Sequence, residues 1–92
     1  MAFLEVEITN RQGLHARPAS QFVEAANRFA SRVWVHKDNK KVNGKSVMEM
    51  MLLDAEQGAV LRIEAEGDDA APCLEALVQV VKHFDENARK NP

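Results

Sequence analysis

Of the residues in this chain able to do chemistry, His15 has the most telling neighbours: Gly13-Leu14-His15-Ala16-Arg17-Pro18-Ala19 sets an imidazole two residues from a guanidinium. Pro18 suits the first turn of a helix, where a missing N–H costs nothing, and Gly13 supplies backbone freedom just ahead of it. The first amides of that helix, those of Ala16 and Arg17, then lie beside the imidazole at the positive end of the helix dipole, where an anion is favoured. Arg17 adds a planar cation that matches phosphoryl oxygens. The group reads as a phosphate site whose histidine can take a phosphoryl group. The same residues, taken alone, also allow His15 to be a helix-capping or loop histidine.

The other reactive side chains read as structural. His36 ends a strand-like segment, and His83 stands beside Lys82 near a helix C-terminus, where a cation complements the dipole. The single cysteine, Cys73, falls on a helical face as a small apolar residue; one cysteine excludes an intrachain disulfide framework and fits a reducing compartment. The three histidines are far apart and no ligand spacing occurs, so no metal and no cofactor are expected. Glu66, Asp68 and Asp69 are explained by helix capping. Gly44-Lys45-Ser46 copies the end of a Walker A loop, but Asn39 stands where that motif needs its first glycine, so the cradle of backbone amides is missing.

These side chains need a scaffold, and 92 residues suit one domain with one modest core, expected to be a compact monomer. A net charge of −2 offers no global attraction to nucleic acid or to an anionic membrane. The N-terminal residues lack the basic region and apolar run of a secretory signal, and no stretch is long enough to span a bilayer, so the expected location is cytoplasmic.

Residues 3–9 alternate as a half-buried strand does, and residues 10–13 form a loop. From 16 to about 28, Ala19, Phe22, Val23 and Ala26, with Phe29 close behind, make one apolar helical stripe. Residues 32–36 and 40–42 are strands joined at Asp38-Asn39. Ser46-Val47-Met48-Glu49 fits a capping box opening a short helix to about 53. Residues 59–66 alternate again after Gln57-Gly58. Asp68 and Asp69 then cap a last helix with Pro72 in its first turn and Leu74, Leu77, Val78, Val81 and Phe84 as its stripe. The order βαββαβα, with one apolar face per helix, predicts an α+β fold: an antiparallel sheet with three helices on one side.

The His15 segment, together with Lys45-Ser46-Val47, resembles the HPr phosphocarriers of the bacterial phosphoenolpyruvate-dependent sugar phosphotransferase system, and the resemblance runs over residues 6–84. It implies an open-faced β-sandwich whose four strands lie in the order 1-4-2-3. Residues 85–92 read as a C-terminal extension of a single domain covering residues 1–92. It further implies that neutral His15 attacks the phosphohistidine of enzyme I through Nδ1, assisted by Arg17, and yields the phosphoryl group to an enzyme IIA domain. Such a protein is a carrier and not an enzyme with turnover of its own.

The resemblance also implies that Ser46 is a regulatory phosphorylation site in bacteria that have the cognate kinase/phosphorylase, and a phosphate there would put negative charge into a docking surface. A catabolite-control transcription factor is a further implied partner. In the second helix Met50 and Leu53 share the face of Val47 and point inward, leaving Met48, Met51 and Leu52 outward; with Val47 and Lys45 these make the partner-docking patch. Many relatives carry lysines around the rim of this face, whereas here Glu24 and Glu49 stand on the first two helices, leaving Arg17, Arg28 and Lys45 as the basic rim. His15 is intact, unlike in related regulatory proteins that have lost it. Two rival readings are a paralogue in a regulatory phosphorelay, such as the nitrogen-related branch, and a transcription-factor binding module used only through Ser46.

Overall fold

The computed structural model describes residues 2–84. Its elements follow the order βαββαβα: β1 (Ala2–Glu7), α1 (Ala16–Ala26), β2 (Arg32–Lys37), β3 (Lys40–Asn43), α2 (Val47–Leu52), β4 (Val60–Glu66) and α3 (Ala70–Lys82). The expected residues 85–92 extension lies outside the described residues. The four strands form one antiparallel sheet in the order β1-β4-β2-β3. Val6 pairs with Leu61 and Val33 with Ala65, which puts the alternating apolar residues of neighbouring strands on a common side.

That side is the core. Val33, Val35, Leu61, Ile63 and Ala65 of the sheet meet Ala19, Phe22 and Ala26 of α1 and Cys73, Leu77 and Val81 of α3, all essentially inaccessible to solvent. Burial of each large apolar side chain contributes roughly 1.5–3 kcal/mol, which is what holds such short helices in place. The stripes expected on α1 and α3 are the faces that are buried, though Phe29 and Val78 are covered only in part. The uncovered face carries paired polar and aromatic groups. Lys41 lies over the Trp34 ring at 4.9 Å, Arg62 over Phe3 at 3.8 Å, and His36 Nε2 is 2.8 Å from Glu64 Oε1. His36 is thus held across the β2–β4 ladder, in keeping with a structural role.

Beyond one-residue shifts at several element ends, three local features differ from the sequence expectation. α1 stops at Ala26, and the next residues close tighter turns, Arg28 N–H to Ala25 O and Phe29 N–H to Ala26 O. Beyond β1, Ile8 continues to bond, to Ala59 O and from Gly58 N–H, while Thr9 leaves the ladder. Asp69 sits at the N-cap of α3 but its side chain does not cap that helix. Its carboxylate instead accepts from the backbone N–H groups of Ala30 (2.8 Å) and Ser31 (2.9 Å) and from the Ser31 hydroxyl. The loop entering β2 has orphan donors of its own, and a carboxylate that can accept several bonds satisfies them better than one helix amide would use it.

These bonds, the Ser31 hydroxyl foremost and the Ala30 amide next, hold the Asp69 carboxyl below the ordinary carboxylate range. A depressed folded-state value means the stabilisation is complete above the unfolded carboxylate's titration range and disappears as pH falls through the folded value. Asp69→Asn is therefore expected to melt lower than the parent at neutral pH, with the gap narrowing in acid. Melting curves of both proteins across the acid range check this; a gap independent of pH would refute it.

Candidate functional site

The site is built where the loop after β1 meets the start of α1. Asn10 is buried and its amide donates to the Gly13 carbonyl at 2.7 Å, while Gly13 N–H returns to Asn10 O at 3.2 Å, so the loop is cross-bonded before the helix begins. Gly13 has φ +72°, and a Cβ there would stand 2.5 Å from the Ala55 carbonyl oxygen. Only glycine meets both conditions without distortion. Leu14 is buried, and its N–H bonds that same Ala55 oxygen at 2.9 Å, which ties the loop to the segment following α2.

His15 follows as the N-cap residue of α1, with an extended backbone (φ −80°, ψ −177°). Its carbonyl accepts the first intrahelical bond, from Ala19 N–H at 2.9 Å, but its side chain makes no capping bond. The helix-capping reading of this histidine therefore falls away, and the imidazole is exposed. Ala16 and Arg17, both exposed, open the helix ahead of that first bond, and Pro18 lacks an amide. An accessible imidazole thus stands at the helix end that carries the first-turn amides and Arg17, an arrangement able to bind a phosphoryl group on nitrogen.

α2 packs against α1 and carries Ser46 as its N-cap. Ser46 Oγ accepts from Glu49 N–H at 3.2 Å, which is half of the expected capping box. The other half is redirected: Glu49 Oε1 accepts from Asn43 N–H at 3.0 Å instead of from Ser46 N–H, which already bonds Asn43 O. Met50 and Leu53 are fully buried and Val47 is half-buried, as the helical spacing demands. Met48 (81% exposed), Leu52 (68%) and Met51 (45%) project outward as one apolar patch.

Lys45 behaves otherwise than a rim cation. It is partly buried, and its ammonium donates to Phe29 O at 2.7 Å, where it also complements the C-terminal end of α1. Gly44 explains the Walker-like tripeptide: a Cβ there would lie 2.5 Å from Val33 Cγ1, so this glycine serves core packing and not a phosphate. Arg28 is 3.7 Å from Glu24 in a surface pair worth little. Burial, with the Asp69 charge adding to it, pushes the Cys73 thiol up, so it stays protonated and inert. Among the described residues no group of three or more histidine, cysteine or acidic side chains could hold a metal, and no helix is long and apolar enough to cross a membrane.

Of the contacts that sequence reasoning missed, Asn10 to Gly13 is local to its loop, whereas Lys45 to Phe29 and Asp69 to Ser31 join distant positions and leave no periodic trace. Only the residue types, a loop asparagine before glycine and an acid doublet, hinted at them.

Comparison with known proteins gives a consistent answer. The family model described as PTS HPr component phosphorylation site matches residues 4–83. Phosphocarrier protein HPr of Neisseria meningitidis serogroup A is 42% identical over 79 residues, covering 86% of this chain and 89% of the relative. The HPr-like protein Crh of Bacillus subtilis is 45% identical over 78 residues, covering 85% and 92%. Among solved structures, HPr from Thermoanaerobacter tengcongensis superimposes with a TM-score of 0.86 at 49% identity, over 90% of this chain and 93% of that one.

Proposed function

We propose, since the chain belongs to the HPr family of phosphocarrier proteins of the phosphotransferase system, that His15 accepts a phosphoryl group from phosphorylated enzyme I and passes it to enzyme IIA domains. The observation that supports this most is the exposed His15 imidazole at the N-cap of α1, free of any capping role and next to first-turn amides.

Nδ1 of the neutral ring attacks phosphorus in line with the departing imidazole of the donor; one P–N bond forms as the other breaks, the donor ring, protonated on its other nitrogen, leaves as neutral imidazole, and the phosphorylated His15 ring keeps its Nε2 proton and takes over the positive charge. Exchange between two imidazoles is close to isoergic, so the site must hold the phosphoryl group without trapping it. Positioning and charge complement supply most of the acceleration. The amides of α1 and the Arg17 guanidinium face charge that grows on the phosphoryl oxygens in transit.

Arg17→Ala is expected to slow transfer in both directions by about 10- to 100-fold, the range for losing one hydrogen bond to a charged group. Rapid-quench rates with enzyme I and with an enzyme IIA domain check it, and unchanged rates in both directions would exclude Arg17 from the site.

Docking in this reading uses Val47, Met48, Met51 and Leu52, whose flexible apolar side chains suit several partners on one surface. The carrier binds no cofactor. Ser46 is the regulatory site: a phosphate at the N-cap of α2 sits near donors that tolerate it, yet its charge stands within the docking surface and weakens the encounter with an acidic partner. A kinase/phosphorylase and a catabolite-control transcription factor are the partners of that modified form. The likeness to Crh, described as the Bacillus subtilis catabolite repression HPr, supports a paralogue in catabolite control as the second reading.

The test is incubation with phosphoenolpyruvate and active enzyme I, followed by intact mass. A gain of one phosphoryl group that is lost in acid supports the carrier reading; no gain with a cognate enzyme I overturns it.

A further inference from the structure

The chain has four methionines, and three of them lie within one turn of α2 in sharply different surroundings. Met48 is 81% exposed and Met51 45% exposed, whereas Met50 between them is fully buried against the core. We propose that Met48 and Met51 form a reversible oxidation site, at which a hydroperoxide converts the thioethers to sulfoxides and lowers the competence of the α2 patch for partner docking. This deepens the carrier reading above and rests on it.

In the step, a lone pair on Sδ attacks one peroxide oxygen. The S–O bond forms as the O–O bond breaks, and the second oxygen takes up the proton of the attacked one and leaves as water (as an alcohol from an organic peroxide). The thioether loses two electrons and the peroxide gains them, so no further reactant is needed. A sulfoxide replaces a soft apolar atom by a strong dipole, which water solvates well and an apolar partner surface does not. The fold is spared because the residues that hold α2 to the core, Met50 and Leu53, are inaccessible. The only thiol, Cys73, is buried and its value is pushed up, so it does not compete for the oxidant. Selectivity thus follows from burial alone, and Met50 serves as an internal gauge of whether the helix stays docked.

The experiment treats the intact protein with hydrogen peroxide, removes the oxidant with catalase, maps the sulfoxides by peptide mass, and measures transfer from phosphorylated enzyme I at limiting carrier. Oxidation at Met48 and Met51 with Met50 unmodified is expected. Second-order transfer should fall about tenfold, as for loss of one apolar anchor at an interface, and recover after methionine sulfoxide reductase treatment. Met48→Leu/Met51→Leu, referred to its own untreated rate, should lose the sensitivity to peroxide. Equal oxidation of all three residues overturns the proposal, as does selective oxidation that leaves transfer unchanged or a double variant that stays peroxide-sensitive. If the untreated parent accepts no phosphoryl group, the carrier reading itself fails and the inference falls with it, while the sulfoxide map still separates the two failures.

Discussion

Replacing His15 with alanine is expected to abolish the acid-labile phosphoryl group entirely while changing stability by less than about 0.5 kcal/mol, as exposed substitutions without special contacts do. The side chain makes no capping bond to α1, so its removal leaves no donor unpaired and no cavity. The first turn offers no second nucleophile, because Ala16, Arg17, Pro18 and Ala19 follow it. The other described histidines are placed for different work: His36 is held by Glu64 on the uncovered sheet face, and His83 Nδ1 lies 2.7 Å from Gln79 O at the end of α3. Intact mass before and after acid treatment, with thermal melts alongside, decides it. Acid-labile phosphate persisting on the variant would move the acceptor to one of those two rings.

The second large effect is structural and lies two residues earlier. Gly13→Ala should destabilise the protein by about 2–4 kcal/mol, from placing a side chain at positive φ and driving it into a backbone carbonyl. The added Cβ would stand 2.5 Å from Ala55 O and 3.0 Å from Glu56 Cα, and neither is the tip of a flexible chain that could swing aside. Relief requires the loop to part from residues 55–56, which breaks the Leu14 N–H to Ala55 O bond and tilts the residue that carries the imidazole. For a domain of this size the melting temperature should drop by roughly 10–25 °C. Transfer assayed below the new melting point should also slow, since a small misplacement of a reacting group is costly. A variant as stable as the parent would show that the loop has slack the packing does not suggest.

Much of this was legible in the chain before its folding was known, and for identifiable reasons. Helical stripes such as Ala19, Phe22, Val23 and Ala26, or Leu74, Leu77 and Val81, and strands such as residues 60–66, advertise themselves because burial imposes a period of 3.6 or 2 on them. The same periodicity separated Met50 and Leu53 from Met48, Met51 and Leu52 on a helix that is apolar almost all round. The motif around His15 is local, so its residues announce the site together. Asp69 went the other way: acid before a helix is a capping signal by its position, and only the fold reveals that Ala30 and Ser31 offer it better donors. Lys45 likewise read as a rim charge until the end of α1 arrived beside it. Partners brought together from distant positions in a chain carry no periodic signature.

The strand order has a consequence for the making of the protein. β1 is an edge strand whose only neighbour is β4, and the loop after it is fastened at Leu14 to Ala55 and at Ile8 to Gly58 and Ala59. A ribosome therefore delivers His15 some forty residues before Ala55, whose carbonyl anchors its loop. With so much of the pairing non-local, the emerging N-terminal half has no stable partner of its own. β1 gains its partner only when β4 is inserted between β1 and β2, and α3, which packs on both α1 and β1, closes the core last of all.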